Sequence, residues 1–146
     1  MIYFFIRLFM EFNIFYSHLI SIPSMAFLIA VIIKWISSMY ESGKFNIKKA
    51  LGSGWMPSVH SAVVTSLTTA VALKYWISSD LFAISLGFTV IIIYDAINIR
   101  YEAWLHAVAI NKLIWEKFKE SLWHLPSEAF AWSLLWVLTA LFLFYI

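Results

Sequence analysis

The sequence predicts an all-α integral membrane protein, a helical bundle of about four transmembrane helices plus an interfacial amphipathic helix. Three observations carry that prediction. Apolar residues make up 63% of the 146 residues and charged ones only 12%; soluble domains run near ~45–50% and ~25%, so too little polar surface is present to cover a globule in water. Four apolar runs are each long enough, with modest tilt, to cross a hydrocarbon core of about 30 Å. A backbone in lipid must satisfy its own hydrogen bonds, which makes helices the default for such runs. The length suits one membrane domain, 1–146.

The elements follow in chain order. Residues 2–10 are apolar but short, are split by Arg7 and lack a small-residue cleavage site, so they read as an interfacial or packed helix, with a fifth tilted span within 2–17 as the alternative. The first span covers about 19–35 and ends on Lys34, with Pro23 near its start, where a missing N–H costs least. A polar connection holding three of the four glycines follows. The second span, about 61–79, is rich in Ser and Thr; Ser61, Thr65, Thr68, Thr69 and Ala72 recur at helical spacing and suggest a close-packing face. A tight turn at Ser78-Ser79-Asp80 leads to the third span, about 81–99, interrupted only by Asp95 and Asn98. Charged and apolar residues then interleave, with Glu116 and Glu120 four apart, which reads as an amphipathic helix over about 101–120 lying along the membrane surface. The fourth span, about 129–146, carries no charge. Tryptophans such as Trp35, Trp76 and Trp123 read as interface anchors, and His18 and His124 as interfacial.

Composition also excludes functions. A net charge of +2 is too small to imply a polyanionic partner such as nucleic acid, and the absence of cysteine removes disulfides, thiolate chemistry and Cys-based metal sites. Lysines gather in two connections: Lys44, Lys48 and Lys49 after the first span, and Lys112, Lys117 and Lys119 after the third. By the positive-inside rule both face the cytoplasm and the C-terminus faces out.

The unusual polar residues collect at that same end. Lys34 closes the first span, Pro57-Ser58-Val59-His60-Ser61 opens the second, and Asp95, Asn98, Arg100, Glu102 and His106 surround the end of the third. Ionisable groups at the edge of the bilayer are costly and are usually kept for pairing or function. Ser58 can cap the helix that follows, whose N-terminus attracts anions; a plain loop and helix start is the alternative. Arg100 offers a planar fork suited to phosphate oxygens. Glu102 and His106 stand four apart and would share a helix face, with a solvated interfacial pair as the plainer reading. Lys34 fits either a snorkelling lysine or an anion ligand. Asp95 reads chiefly as a structural partner of Arg100 or Lys34.

The blocks Met56-Pro57-Ser58-Val59-His60-Ser61-Ala62, Tyr94-Asp95-Ala96 with Arg100, and Ile110-Asn111-Lys112-Leu113 resemble the divergent branch of the type 2 phosphatidic acid phosphatase superfamily, which also includes vanadium-dependent haloperoxidases. The resemblance implies a phosphate site in which Lys34, Ser58 and Arg100 hold the oxygens. It casts His60 as general acid and His106 as the nucleophile that forms a phosphohistidine, with Asp95 and Asn111 in support. Departures are visible. The first motif lacks its usual Arg-Pro, the second reads Pro-Ser-Val-His, relatives in the branch often carry Gln at the His106 position, and Trp104 stands where a glycine is usual. Ile110 replaces the expected aspartate, so Glu102 is the candidate for orienting His106. The expected activity is a metal-independent, cofactor-free lipid phosphate phosphatase. Its partners would be a lipid phosphate substrate and membrane lipids, with a homo-oligomer open. The alternative is a non-catalytic membrane protein that keeps the scaffold and an anion or headgroup site.

Overall fold

The computed structural model describes residues 18–42, 57–114, 118 and 126–146. Among them the chain forms five helices and no strand: α1 (Ser21–Ser42), α2 (Val59–Tyr75), α3 (Asp80–Ile97), α4 (Ile99–Asn111) and α5 (Pro126–Tyr145). Segments Ser21–Tyr40, Asp80–Asn111 and Ser127–Tyr145 are long and apolar enough to cross a membrane. The segment 2–17, the Gly52-Ser53-Gly54 loop, the Glu116/Glu120 pair, Lys44, Lys48, Lys49, Lys117, Lys119, Trp123 and His124 lie outside the described residues.

The least apolar of the four long helices, α2, sits at the centre, packed against α1, α3 and α5. That position explains how 17 residues rich in Ser and Thr are tolerated: protein, not lipid, covers most of their surface. Thr65 and Thr69 turn their hydroxyls back onto the carbonyls of Ser61 and Thr65, and Ser66 bonds to the Ala62 carbonyl. Thr68 instead reaches across to α3. Its Oγ1 lies 3.1 Å from the Ser85 carbonyl and 2.8 Å from Thr89 Oγ1, which lies 3.1 Å from the Val64 carbonyl. Two hydroxyl protons thus tie α2 to α3 without an unsatisfied buried group.

The packing clusters fix the helix directions. Near one end Ala26 and Ala30 of α1 meet Ala62 of α2 and Trp136 of α5; near the other, Ile22 meets Ala70, Ala140, Leu143 and Phe144. So α1 runs antiparallel to α2, and α5 parallel to it. Thr68 meets Ser85 while Val64 meets Thr89, which sets α3 antiparallel as well. The C-terminal part of α1, the start of α2, the end of α3 and the start of α5 therefore share one end of the bundle.

Two boundaries differ from the sequence expectation. The second helix ends at Tyr75, not 79, because Trp76 turns to φ 69°, a left-handed value that a helix cannot continue. Ser79 then caps α3, accepting a hydrogen bond from the Phe82 N–H at 3.2 Å. The helix expected over 101–120 ends at Asn111. The Asn111 side chain there donates to the Phe118 carbonyl at 2.9 Å and accepts from the Phe118 N–H at 2.7 Å. This amide clamp holds the chain as it leaves α4 and gives Asn111 a structural role.

Candidate functional site

The site is assembled from the ends of three helices. On α1 a buried residue stands at every fourth position, Ile22, Ala26, Ala30, Lys34 and Ser38, with Pro23 buried beside the first. Residues four apart lie on one helix face, so the stripe that packs α1 into the bundle carries Lys34 inward with it. Lys34 is only 3% exposed, which separates it from a lysine reaching out to the headgroups.

Ser58 is also buried and is the N-cap of α2. Its Oγ accepts from the Ser61 N–H at 3.3 Å, and its carbonyl accepts from the Ala62 N–H at 3.0 Å. An accepting hydroxyl keeps its own proton for donation. The Val59 and His60 N–H groups, in the first turn, have no intrahelical acceptor. One hydroxyl and two backbone donors with the positive end of the helix dipole therefore meet at the start of α2.

Asp95 and Arg100 bridge the break between α3 and α4. The Arg100 Nε donates to Asp95 Oδ2 at 2.8 Å, with both side chains half-buried. The pair spans the Asn98 junction and fixes the direction of the guanidinium. Only Nε is engaged in this pair, which leaves the two terminal nitrogens, the part of the fork that grips phosphate oxygens. The exposed His60 ring closes the arrangement. The charges acting on it are those of Arg100, Lys34 and Asp95. His60, Asp95 and Arg100 line an open cavity of about 460 Å³, with Ile91, Tyr94 and Ile99 on its apolar wall.

Lys34, Ser58, His60, Asp95 and Arg100 thus share one end of the bundle; His60, Asp95 and Arg100 line the cavity, while Lys34 and Ser58 are buried and are not among its lining residues. Glu102 and His106 stand apart. Both are exposed on α4, and neither lines the cavity. Six residues at 100° each place His106 about 120° around the helix from Arg100 and about 9 Å along it. The buried residue of α4 is Ala107, and Arg100, seven residues earlier, lies on its side. Tyr94 is a cavity residue to which the sequence assigned no role; its signal was its place one residue before Asp95. Among the described residues, no three His, Asp or Glu side chains gather as metal ligands.

The family model described as "Divergent PAP2 family" matches residues 15–139. A relative, the uncharacterized membrane protein YuiD of Bacillus subtilis (strain 168), is 36% identical over 141 residues, which cover 82% of this chain and 89% of the relative. No solved structure matches.

Proposed function

Because the chain belongs to the divergent PAP2 family, we propose that this integral membrane protein hydrolyses a lipid phosphate monoester or an isoprenyl pyrophosphate by metal-independent phosphoryl transfer. The observation that carries the reading is the convergence of Arg100, Ser58, His60 and buried Lys34 at one end of an apolar bundle. In phosphoryl transfer, positioning and neutralisation of the oxygens do most of the work. Arg100, held by Asp95, and Lys34 neutralise the oxygens; the Ser58 hydroxyl and the first N–H groups of α2 donate hydrogen bonds to them. His106 attacks phosphorus, and Glu102, one turn earlier, orients its ring. His60 protonates the leaving oxygen, an alcohol from a monoester or a prenyl phosphate from a pyrophosphate, and water then cleaves the phosphohistidine to release phosphate. His106 faces outward on the helix that also carries Arg100, so turning α4 as a whole would carry Arg100 out of the site; the attack requires α4 to bend or unwind between Arg100 and His106.

The test is phosphate release from a panel of lipid phosphates in detergent with a chelator present, followed by rapid quenching to trap phosphohistidine. Release that is lost in His60→Ala and His106→Ala, with label on His106, is the expected result. Label on His60 would transfer the nucleophilic role to that residue. The exposed face of His106 and Glu102 also favours a second reading: a non-catalytic headgroup site built from the same cluster. Vanadate binding with no release from any substrate by folded protein would establish it.

We place the site on the cytoplasmic side, where both lysine-bearing connections would lie. The chain has no cysteine, so single introduced thiols report orientation cleanly. A membrane-impermeant maleimide applied to intact cells is expected to label Ser78→Cys and to miss Lys112→Cys. The opposite pattern would invert the orientation.

A further inference from the structure

A second space adjoins the polar cavity. It is a groove of about 400 Å³ between α2 and α3, lined by Val64, Leu67, Leu81, Ile84, Phe88 and Ile92. Ile92 lines both spaces, so the groove adjoins the polar cavity along α3. The charged side chains lie at the Arg100 end, and apolar ones line the groove from Ile92 onward. Ser85 and Thr89 also line the groove, but Thr89 is held by Val64 and Thr68, and Ser85 bonds to the Phe82 carbonyl. The hydroxyls are already partnered and leave an apolar surface. Of the three segments suited to crossing a membrane, the one containing α3 is least covered by the rest of the fold, so the groove lies open to lipid along its length.

We infer that this groove holds the hydrocarbon tail of the substrate, and that it measures tail length; the inference rests on the phosphate-site reading above. The occupant is set by the two adjoining spaces: a cation that matches a phosphate head in one, and walls of mainly aliphatic and aromatic side chains in the other. Its length sets the kind of tail. From Asp95 to Leu81 the helix rises about 21 Å at 1.5 Å per residue, more than the ~15 Å half-thickness of a hydrocarbon core. A tail that fills the groove passes the bilayer midplane. Long acyl or prenyl chains therefore gain contacts that short ones do not, and Leu81 and Ile84 mark the far stop.

The test uses the full-length protein in detergent with octyl and hexadecyl phosphates, each carrying a diazirine at the chain end, and maps the photolabel by mass spectrometry. The octyl probe is expected to label around Phe88 and Ile92, and the hexadecyl probe around Leu81 and Ile84. In Ile84→Trp, hexadecyl labelling at Leu81 is expected to fall about tenfold, the effect of about two methylenes leaving the groove, with octyl labelling unchanged. Identical label positions for both probes would overturn the inference, as would equal labelling of Leu134 and Phe142, which are exposed and lie outside the groove. Labelling that follows chain length yet is undiminished by vanadate or by Arg100→Ala would keep the groove as a tail site and overturn the phosphate reading of the head.

Discussion

Arg100→Ala is expected to lower turnover on lipid phosphates about 10³-fold, within the range seen when a charged or oxyanion-holding donor is removed. The size follows from what the side chain does in the fold. Its Nε is fixed by Asp95, so the terminal nitrogens are aimed at the cavity before substrate arrives and need no reordering in the transition state. Arg100→Lys keeps the charge but loses the fork, and should recover only part of the loss. Asp95→Asn removes the group that holds Arg100 in place; by analogy with supporting residues at metal sites, a loss of about 10–100-fold is expected. Folding must be separated from chemistry here, because Arg100→Ala leaves a half-buried carboxylate without its partner. The Asp95→Asn/Arg100→Ala double variant removes that orphaned charge. It should recover thermal stability lost in Arg100→Ala while staying as slow, a coupling that a double-mutant cycle reads directly. Wild-type turnover in Arg100→Ala, measured on folded protein, would remove the phosphate clamp.

Much of this site was legible in the sequence, because it is made of ionisable residues placed where long apolar runs stop. Once antiparallel helices are assumed, Lys34, His60, Asp95 and Arg100 can only fall at one end. Even the inward direction of Lys34 is written in the four-residue recurrence of Ile22, Ala26, Ala30 and Lys34. Spacing could not tell which face of α4 looks inward. The i,i+4 relation of Glu102 and His106 is correct as a local rule, but the rotation of α4 is set by the junction at Asn98 and the Asp95–Arg100 pair across it. A three-dimensional contact decides that angle. The length of α4 was overread for a related reason: amphipathic periodicity runs on past Asn111, while the clamp on Phe118 that accompanies the helix end leaves no periodic signature. Tryptophan composition suggests interface anchors, and Trp76 is exposed as that role requires, yet Trp136 is wholly buried. Its signal lay in the alanines at 26, 30 and 62, small residues that leave room for one large ring.

That ring is the basis of the second large effect. Trp136 is completely inaccessible and packs with Ala26, Ala30 and Ala62, with Val59 and Trp132 against the same cluster. Val59 and Ala62 flank His60 and follow Ser58, so the indole supports the helix start that presents the site. Trp136→Ala leaves a cavity that three alanines cannot fill, and large-to-small changes of this kind cost about 3–5 kcal/mol. The expected outcome is a large fall in thermal stability in detergent, with vanadate binding lost even at temperatures where the helices persist. Trp136→Phe separates volume from polarity. Among the described residues the indole Nε1–H is buried without a hydrogen-bond partner, a state that costs about 1–3 kcal/mol. Phenylalanine removes that donor and keeps most of the ring, so Trp136→Phe is expected to match or exceed wild-type stability and to bind vanadate normally. If Trp136→Phe proved as damaging as Trp136→Ala, the indole N–H would have to be satisfied in the working protein. If Trp136→Ala proved harmless, the packing that carries the start of α2 would have to lie elsewhere.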